Sequence, residues 1–261
     1  MGRVIFVSAG PGAADLITVR GARLLALADV VLFDALTDPE LRDLAPLARW
    51  VHVGKRGFAD STGQDTINAL LVKHARESAV VVRLKGGDAS VFGRLEEELL
   101  ALAHAGIASE VVPGVTAALA AAAATQRPLT RRGHGRSVSL STAMTRDGEL
   151  HAGHTADTEV FYMAGKQLAA LARRLLGAGW PVHTPVSVVS RAGWPDQLHS
   201  DHTLDGLSHA SVLHAGRPTL VTVGAGAAAL DESAVSVDPH SIDRTRHNAD
   251  LPTDMTTFGK P

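Results

Sequence analysis

Two charged side chains stand at the ends of neighbouring predicted strands in the first quarter of the chain. Asp34 directly follows the apolar run "VVLF", and Lys55 comes two residues after the run "WVHV". If both runs are parallel strands of one sheet, their carboxyl ends meet at one edge and both side chains project toward one cleft. A carboxylate beside an ammonium group is a suitable pair for moving protons. The spacing therefore predicts proton transfer, and recognition of an anionic substrate by Lys55 and Arg56 is the alternative.

A glycine pair marks a second candidate site, in the segment "RLKGGDASVFGR" at residues 83–94. Gly86 and Gly87 carry no side chain, so the backbone can approach a ligand closely there. Asp88 then stands at the carboxyl end of a predicted strand, where open α/β sheets bind their ligands. The segment predicts a loop that holds a polar ligand. A plain turn in which Asp88 caps the next helix is the alternative.

The segment "VSAGPGAAD", residues 7–15, contains glycines but is not typical of dinucleotide binding. The dinucleotide fingerprint needs a third Gly or Ala in G-x-G-x-x-G/A, and Asp15 stands there when the count starts at Gly10. Pro11 also removes an amide donor from the loop. Asp34, about 20 residues further on, is the one feature that agrees with a dinucleotide site. A tight strand-to-helix turn is the simpler interpretation.

No metal site or familiar nucleophile is predicted. The chain has no cysteine, which excludes thiolate ligands and a thiol nucleophile. The histidine pairs "HAGH" and "HSDH" fall in predicted polar loops without a third ligand at a recognisable distance. Neither a G-x-S-x-G elbow nor a G-x-x-x-x-G-K-[ST] phosphate loop occurs. Metal-free chemistry is therefore expected.

The composition argues against two classes of partner. With 25 Lys and Arg against 27 Asp and Glu, and 4% aromatic residues, the chain has neither the basic field nor the stacking surfaces of a nucleic-acid binder. No apolar run reaches the roughly 18–20 residues of a membrane span, and the amino terminus does not resemble a signal peptide. A cytoplasmic protein without nucleic-acid or membrane partners is expected.

Strand-like apolar runs alternate with helical patterns, which predicts an α/β fold. The predicted strands are residues 4–7, 30–33, 50–53, 80–84, 110–112, 138–141, 159–163, 186–190 and 219–223. The predicted helices are a first one capped by Asp15, then residues 64–76, 94–105, 117–124 and 167–176. The segment "QRPLTRRGHG" is predicted to connect two domains. We therefore predict domains at residues 1–130 and 131–230, and a disordered tail at residues 231–261.

Seven segments together resemble the tetrapyrrole methylase family: "GPG", "ADVVLFDAL", "VGKRG", "LKGGDASVFGR", "VVPGVTAALAA", "PLTRRG" and "VFYMAG". They occur in order, and the resemblance runs from about residue 4 to residue 223. It implies two α/β domains with a cleft between them, a homodimer, and S-adenosylmethionine as methyl donor, with S-adenosylhomocysteine as product. The nearest members methylate uroporphyrinogen III at C2 and then C7, giving precorrin-2 for sirohaem and cobalamin synthesis.

The resemblance also assigns roles to particular positions. It makes Asp34 the proton acceptor and Lys55 the proton donor. The positions that contact the methyl donor would be Pro11, Gly86, Gly87, Asp88, Val91, Thr116, Ala117, Met163 and Ala192. A shift of one residue would replace Ala192 by Gly193, and on pattern alone Met163 is more typical of a core. The sequence departs from the family at Ser8, which replaces a glycine, and at "STAMTRDG", which replaces a Gly-His pair.

A substrate with eight carboxylates requires cations around the cleft. The arginines of the predicted interdomain connection are candidates, and further basic residues near the predicted strand ends can add to them. The complete set is Arg56, Arg94, Arg131, Arg132 and Arg136. Solvated surface is the alternative for the arginine pair at 131 and 132.

Two other functions remain open at this point. One keeps the fold and donor but changes the substrate, to another corrin precursor, an RNA or a protein side chain; the near-neutral charge disfavours RNA. The other is a non-catalytic protein that binds tetrapyrroles.

Overall fold

The computed structural model describes residues 2–53, 63–144 and 150–230. Residues 1–228 form one compact unit, which contains every helix and strand given below. The second unit is residues 229–261, of which the structure describes 229 and 230. The tail predicted at residues 231–261 lies outside the described residues. The predicted boundary near residue 130 remains a prediction.

The amino-terminal half builds a parallel five-stranded sheet in the order β3-β2-β4-β1-β5. Its strands are β1 (Arg3–Ser8), β2 (Val30–Phe33), β3 (Arg49–His52), β4 (Val80–Lys85) and β5 (Ser109–Val112). Parallel strands covered on both faces are apolar along their whole length, as "VIFV" and "VVLF" are. Side chains on β1 alternate between the two faces: Phe6 belongs to one core cluster, and Ile5 to the other.

The described residues of this half contain four α-helices: α1 (Val19–Leu25), α2 (Gln64–Glu77), α3 (Leu95–His104) and α4 (Ala117–Ala124). The last three match their predictions closely. The predicted cap of the first helix was wrong, because Asp15 lies in a separate single turn of 3-10 helix. Thr18 caps α1 instead: its hydroxyl accepts the Gly21 N–H at 3.0 Å. A threonine in extended conformation directly before the first helical residue is a favourable cap.

The carboxy-terminal half builds a mixed sheet in the order β6-β7-β10-β8-β9, in which β6 and β7 are parallel and the other pairs antiparallel. Its strands are β6 (Val138–Thr142), β7 (Thr158–Tyr162), β8 (Pro185–Ser190), β9 (Leu198–Thr203) and β10 (Thr219–Gly224). Helices α5 (Leu168–Gly177) and α6 (Ala210–Leu213) follow β7 and β9. Phe161, Leu171 and Val221 are completely buried in the core of this half. The predicted α/β class is confirmed.

Strand β9 was missed by the sequence analysis, which assigned "HSDH" to a loop. His199 and His202 lie on this strand, opposite Val189 and Val186 of β8. Because β9 is an edge strand, its side chains are half-buried or exposed, and its sequence is correspondingly polar. The buried run that predicts a central strand is therefore absent.

Loops at the carboxyl ends of the strands position the site. Gly10, after β1, and Gly87, after β4, exchange two backbone hydrogen bonds of 3.1 and 2.7 Å. The loop after β1, which we call the opening loop, also reaches the second half, where Ala13 donates its N–H to the Gly193 carbonyl at 2.9 Å. A Cβ on Gly12 would lie 2.4 Å from the carbonyl carbon of Gly193. Glycine is thus required where the loops of the two halves touch.

Candidate active site

A cavity of about 370 Å³ lies where these loops meet, lined by residues of both halves. This volume is within the range of pockets that bind small molecules. Every position predicted to contact the methyl donor lines it: Pro11, Gly86, Gly87, Asp88, Val91, Thr116, Ala117, Met163 and Ala192. Asp34 and Arg94 line it as well. The fold thus brings together side chains that are far apart in sequence.

Gly86 and Gly87, the glycine pair after β4, are each required to be glycine for a different physical reason. Gly87 has a φ of +70°, a conformation that side-chain-bearing residues rarely adopt. A Cβ built on it meets no atom within 4 Å, so open space lies beside it. Gly86 is confined by packing, since a Cβ there would lie 2.8 Å from the Cβ of Leu36. The loop therefore exposes bare backbone along the cavity.

Asp88 connects two loops of the cavity. One carboxylate oxygen accepts the Ser90 N–H at 2.8 Å, and the other accepts the Gly114 N–H at 2.8 Å. Burial raises the pKa of Asp88, but the hydrogen bonds from Gly114 and Ser90 outweigh that effect and lower it. Asp88 is therefore ionised near neutral pH. It does not cap the next helix, because α3 begins only at Leu95.

Asp34 is a partly exposed carboxylate on the cavity. One of its oxygens accepts the Leu36 N–H at 3.1 Å, and the other lies 3.9 Å from a guanidinium nitrogen of Arg83. Lys55 and Arg56, the basic residues predicted to lie at the same cleft as Asp34, are outside the described residues. Asp34 thus faces the cavity with a buried cation behind it.

A buried ionic cluster supports this wall. Arg83 and Lys85, on one face of β4, converge on Glu98 of α3, with nitrogen–oxygen distances of 3.1 and 2.8 Å. Gln64 donates to the same carboxylate at 3.3 Å. Burial, and next the charge of Arg83, lower the pKa of Lys85, while Glu98 raises it. Arg83 and Lys85 also line the cavity, and sequence reasoning missed both. Charged residues alternating on an otherwise buried strand were the available signal.

Aromatic residues connect the two halves across the cavity. The hydroxyl of Tyr162, the last residue of β7, lies 2.8 Å from the hydroxyl of Thr116. The Phe92 ring packs 5.0 Å from the Tyr162 ring, centroid to centroid. Met163 follows β7 with a φ of +57° and is 41% exposed. The core interpretation of Met163 was therefore wrong.

The loop after β8 forms another part of the wall. Arg191 lies over the Trp194 ring at 4.4 Å and pairs with Asp196 at 2.6 Å. Arg191, Ala192 and Trp194 line the cavity, whereas Gly193 contacts the opening loop instead. Sequence reasoning missed Arg191 and Trp194, since nothing in the local pattern marks them.

The three arginines predicted to bind substrate between α4 and β6 do not line the cavity. Arg131 donates to the carbonyls of Pro128 and Ala228, and Arg132 and Arg136 are exposed. Among the residues that the structure describes, the cations on the cavity wall are Arg83, Lys85, Arg94 and Arg191. Of these, Arg94 is the one that was predicted; it forms a two-point ion pair with Glu97 at 2.7 and 2.6 Å.

Two features are absent from the part of the chain that the structure describes. It contains no group of three or more His, Asp or Glu residues arranged to hold a metal ion. None of its helices is both long enough and apolar enough to cross a lipid bilayer.

Comparison with known proteins places this chain in a family. The model of the tetrapyrrole (corrin/porphyrin) methylases matches residues 3–208. Uroporphyrinogen-III C-methyltransferase of Pseudomonas aeruginosa is 45% identical over 195 residues, which are 73% of this chain and 80% of that protein. Siroheme synthase 1 of Pectobacterium atrosepticum is 43% identical over 229 residues, 85% of this chain and 48% of the relative. The chain thus spans about half the length of that siroheme synthase.

Two solved structures of methyltransferases also resemble this chain. Uroporphyrin-III C-methyl transferase from Thermus thermophilus, complexed with S-adenyl homocysteine, superposes with a TM-score of 0.75 at 37% identity, covering 85% of this chain and 97% of that one. Cobalt precorrin-4 methyltransferase superposes with a TM-score of 0.77 at 29% identity, covering 87% and 96%. The resemblance read from the seven segments is confirmed, and the chain belongs to the tetrapyrrole (corrin/porphyrin) methylases.

Proposed function

We propose that this protein is an S-adenosylmethionine-dependent C-methyltransferase that converts uroporphyrinogen III to precorrin-2 by successive methylation at C2 and C7. One observation carries the proposal: the nine positions predicted to contact the methyl donor all line one cavity. The 45% identity to a uroporphyrinogen-III C-methyltransferase supports the substrate. The product would then feed sirohaem or cobalamin synthesis.

The residues of the cavity fit S-adenosylmethionine. Asp88 is ionised and suits the ribose hydroxyls or the amino group of the donor. The bare backbone at Gly87 leaves room beside it. Pro11, Val189 and Leu220 offer apolar surface for uncharged parts of the molecule. The donor has no phosphate, which agrees with the loss of an amide donor at Pro11.

The chain mainly has to position and desolvate the reactants. When bound, S-adenosylmethionine would supply an electrophilic methyl group: the electron pair of the pyrrole would form the new C–C bond as the C–S bond breaks, and S-adenosylhomocysteine would leave. Phe92, Tyr162 and Thr116 form one connected part of the cavity wall. Asp34 accepts the proton that the methylated ring must lose to restore its charge. Arg94 binds a substrate carboxylate by exchanging it for Glu97.

The predicted roles of the remaining basic residues stay within the proposal. Lys55 would donate a proton, and Arg56 would bind substrate. Arg131, Arg132 and Arg136 would contact carboxylates that extend beyond the cavity. Arg131→Ala combined with Arg132→Ala tests this: we expect a higher KM for the tetrapyrrole, and an unchanged KM contradicts it.

Anaerobic incubation with uroporphyrinogen III and S-adenosylmethionine tests the function. Mass spectrometry should show a tetrapyrrole that has gained two methyl groups. Binding of S-adenosylhomocysteine without any mass gain on uroporphyrinogen III would point to another corrin precursor. Tetrapyrrole binding without donor binding would identify a non-catalytic binding protein.

The family resemblance further implies a homodimer, which belongs to the same proposal. Sedimentation equilibrium or light scattering at micromolar concentration should give twice the mass of the 27.2 kDa chain. A monomer across that range would contradict it.

Trp194 should report donor binding. Its indole lies on the cavity, whereas Trp50 and Trp180 lie elsewhere in the two halves. We expect S-adenosylhomocysteine to change the tryptophan emission of the wild type, and this change to disappear in Trp194→Phe. Trp50→Phe is the matched control and should keep the signal. A signal that survives in Trp194→Phe would show that the ligand binds away from this wall.

A further inference from the structure

A chain of hydrogen bonds runs from the cavity wall through the interior of the second half. We call it the histidine–hydroxyl chain; it consists of Thr219, Ser190, His214, Ser200 and His202. Successive polar atoms lie 2.8, 2.6, 2.8 and 2.8 Å apart. His214 and Ser190 are completely buried, and Thr219 lines the cavity. Buried polar groups so connected restrict one another's orientation.

The inner end of this chain has one consistent donor order. The Thr219 hydroxyl donates to the Arg217 carbonyl at 2.9 Å, which uses its only hydrogen. Ser190 must therefore donate to Thr219. Since the single hydrogen of Ser190 is then used, the Nδ1–H of His214 must donate to Ser190.

The outer end follows from the same counting. With its hydrogen on Nδ1, neutral His214 accepts at Nε2 from the Ser200 hydroxyl. Ser200 in turn accepts from the Nε2–H of His202. Burial, and next the nearby His202, Arg217 and His199, lower the pKa of His214. A neutral imidazole with a defined tautomer is therefore expected at neutral pH.

Three segments of the cavity wall meet at the inner end. Ser190 ends β8 and is followed directly by Arg191 and Ala192. Arg191 donates its N–H to the Pro218 carbonyl at 2.9 Å, which joins this segment to the start of β10. The turn after β7, which carries Met163, packs here too: a Cβ on Gly165 would lie 3.0 Å from both the Arg217 carbonyl oxygen and the Thr219 hydroxyl.

We propose that His214 is a positioning residue for the methyl-donor site. Its Nδ1–H orients Ser190, and Ser190 orients Thr219. The pair then holds the segments that present Met163, Ala192 and Leu220 to the donor. The inference rests on the proposed function, because it takes this cavity as the binding site for S-adenosylmethionine.

Two substitutions of His214 separate hydrogen bonding from packing. In His214→Asn the amide nitrogen takes the place of Nδ1 and can still donate to Ser190, whereas His214→Leu has no donor. Removing the hydrogen bond that Ser190 accepts from His214 should raise the dissociation constant of S-adenosylhomocysteine about tenfold in His214→Leu. His214→Asn should remain within about threefold of the wild type. Exposed His209 provides the matched control, and His209→Asn should bind like the wild type.

Calorimetry on the full-length protein measures these constants, and nitrogen-15 chemical shifts of the imidazole report the tautomer. A hydrogen on Nε2 of His214, wild-type affinity in His214→Leu, or equal losses in both variants would each overturn the inference. Where His214→Leu does not fold, Ser190→Ala removes the same link and must show the same loss. Wild-type protein that binds no S-adenosylhomocysteine would overturn the proposed function, and the inference with it.

Discussion

Asp34→Asn is expected to lower kcat for methylation by about 10²–10⁴-fold, the usual contribution of a general base. The asparagine keeps an oxygen that can accept the Leu36 N–H, so the local turn survives. It cannot take up the proton that the methylated ring releases. Because Asp34 is not among the groups that the proposal assigns to the donor, the dissociation constant of S-adenosylhomocysteine should change less than about threefold. Steady-state kinetics and calorimetry measure the two quantities.

Asp29→Asn is the matched control for this substitution. Asp34 follows β2, whereas Asp29 precedes it. The Asp29 carboxylate accepts the Val80 N–H at the opposite edge of the sheet. Asp29→Asn should therefore leave kcat unchanged. If Asp34→Asn raises KM for the tetrapyrrole while kcat stays within about threefold, Asp34 binds substrate and does not accept the proton.

Glu98→Leu is expected to lower the free energy of unfolding by about 3–5 kcal/mol, the typical cost of breaking a buried ion pair by removing one partner. The carboxylate is completely buried and pairs with both Arg83 and Lys85. Without it, two cations remain in the interior. Urea denaturation followed by circular dichroism measures the loss.

Lys85→Met is the control, because it leaves the charge-balanced pair of Arg83 and Glu98 and should cost clearly less. Equal losses in the two variants would show that packing, and not uncompensated charge, sets the cost.

The loss in Glu98→Leu should shrink as the pH rises from neutrality toward the ordinary pKa of lysine. In the folded protein the pKa of Lys85 is below its ordinary value, first because of burial. Between the folded and unfolded pKa values the unfolded chain binds more protons, so the free energy of unfolding increases with pH. Glu98 raises the pKa of Lys85 in the folded protein. Its removal therefore lowers that pKa further and extends the pH range of this increase toward neutral pH. A loss that is independent of pH would contradict this explanation.

Most strands of this protein are predictable from local sequence because they are buried on both faces. The run "VVLF" matches β2 to the residue, and β1, β4 and β8 differ from their predictions by a single residue at one or both ends. The failures occur where local and tertiary signals differ. Strand β9 is polar because it lies at an edge, and "HSDH" contains no sign of the valines that pair with it on β8. Asp15 is an acceptable cap in isolation, but the chain turns again before α1 begins.

The candidate site divides in the same way. Gly86, Gly87 and Asp88 are recognisable because the strand-to-loop change surrounds them in sequence. Arg191 and Trp194 are not, since they line the cavity only because β8 and its following loop reach the opening loop of the other half. The arginines between α4 and β6 differ from the expected arrangement: none of the three lines the cavity, and Arg131 donates to nearby backbone carbonyls, so their contact with substrate stays a prediction.

The alternation of strands and helices, the family, and the glycine and acidic positions at the strand ends follow from the amino-acid sequence. These features depend on residue type and short spacing, which the chain carries locally. The cations that reach the cavity, the pairing of Glu98 with Arg83 and Lys85, and the link from His214 through Ser190 to Thr219 are set by the folded structure. Those contacts join residues of different elements, so their distances and donor orders exist only after the sheets and helices have packed.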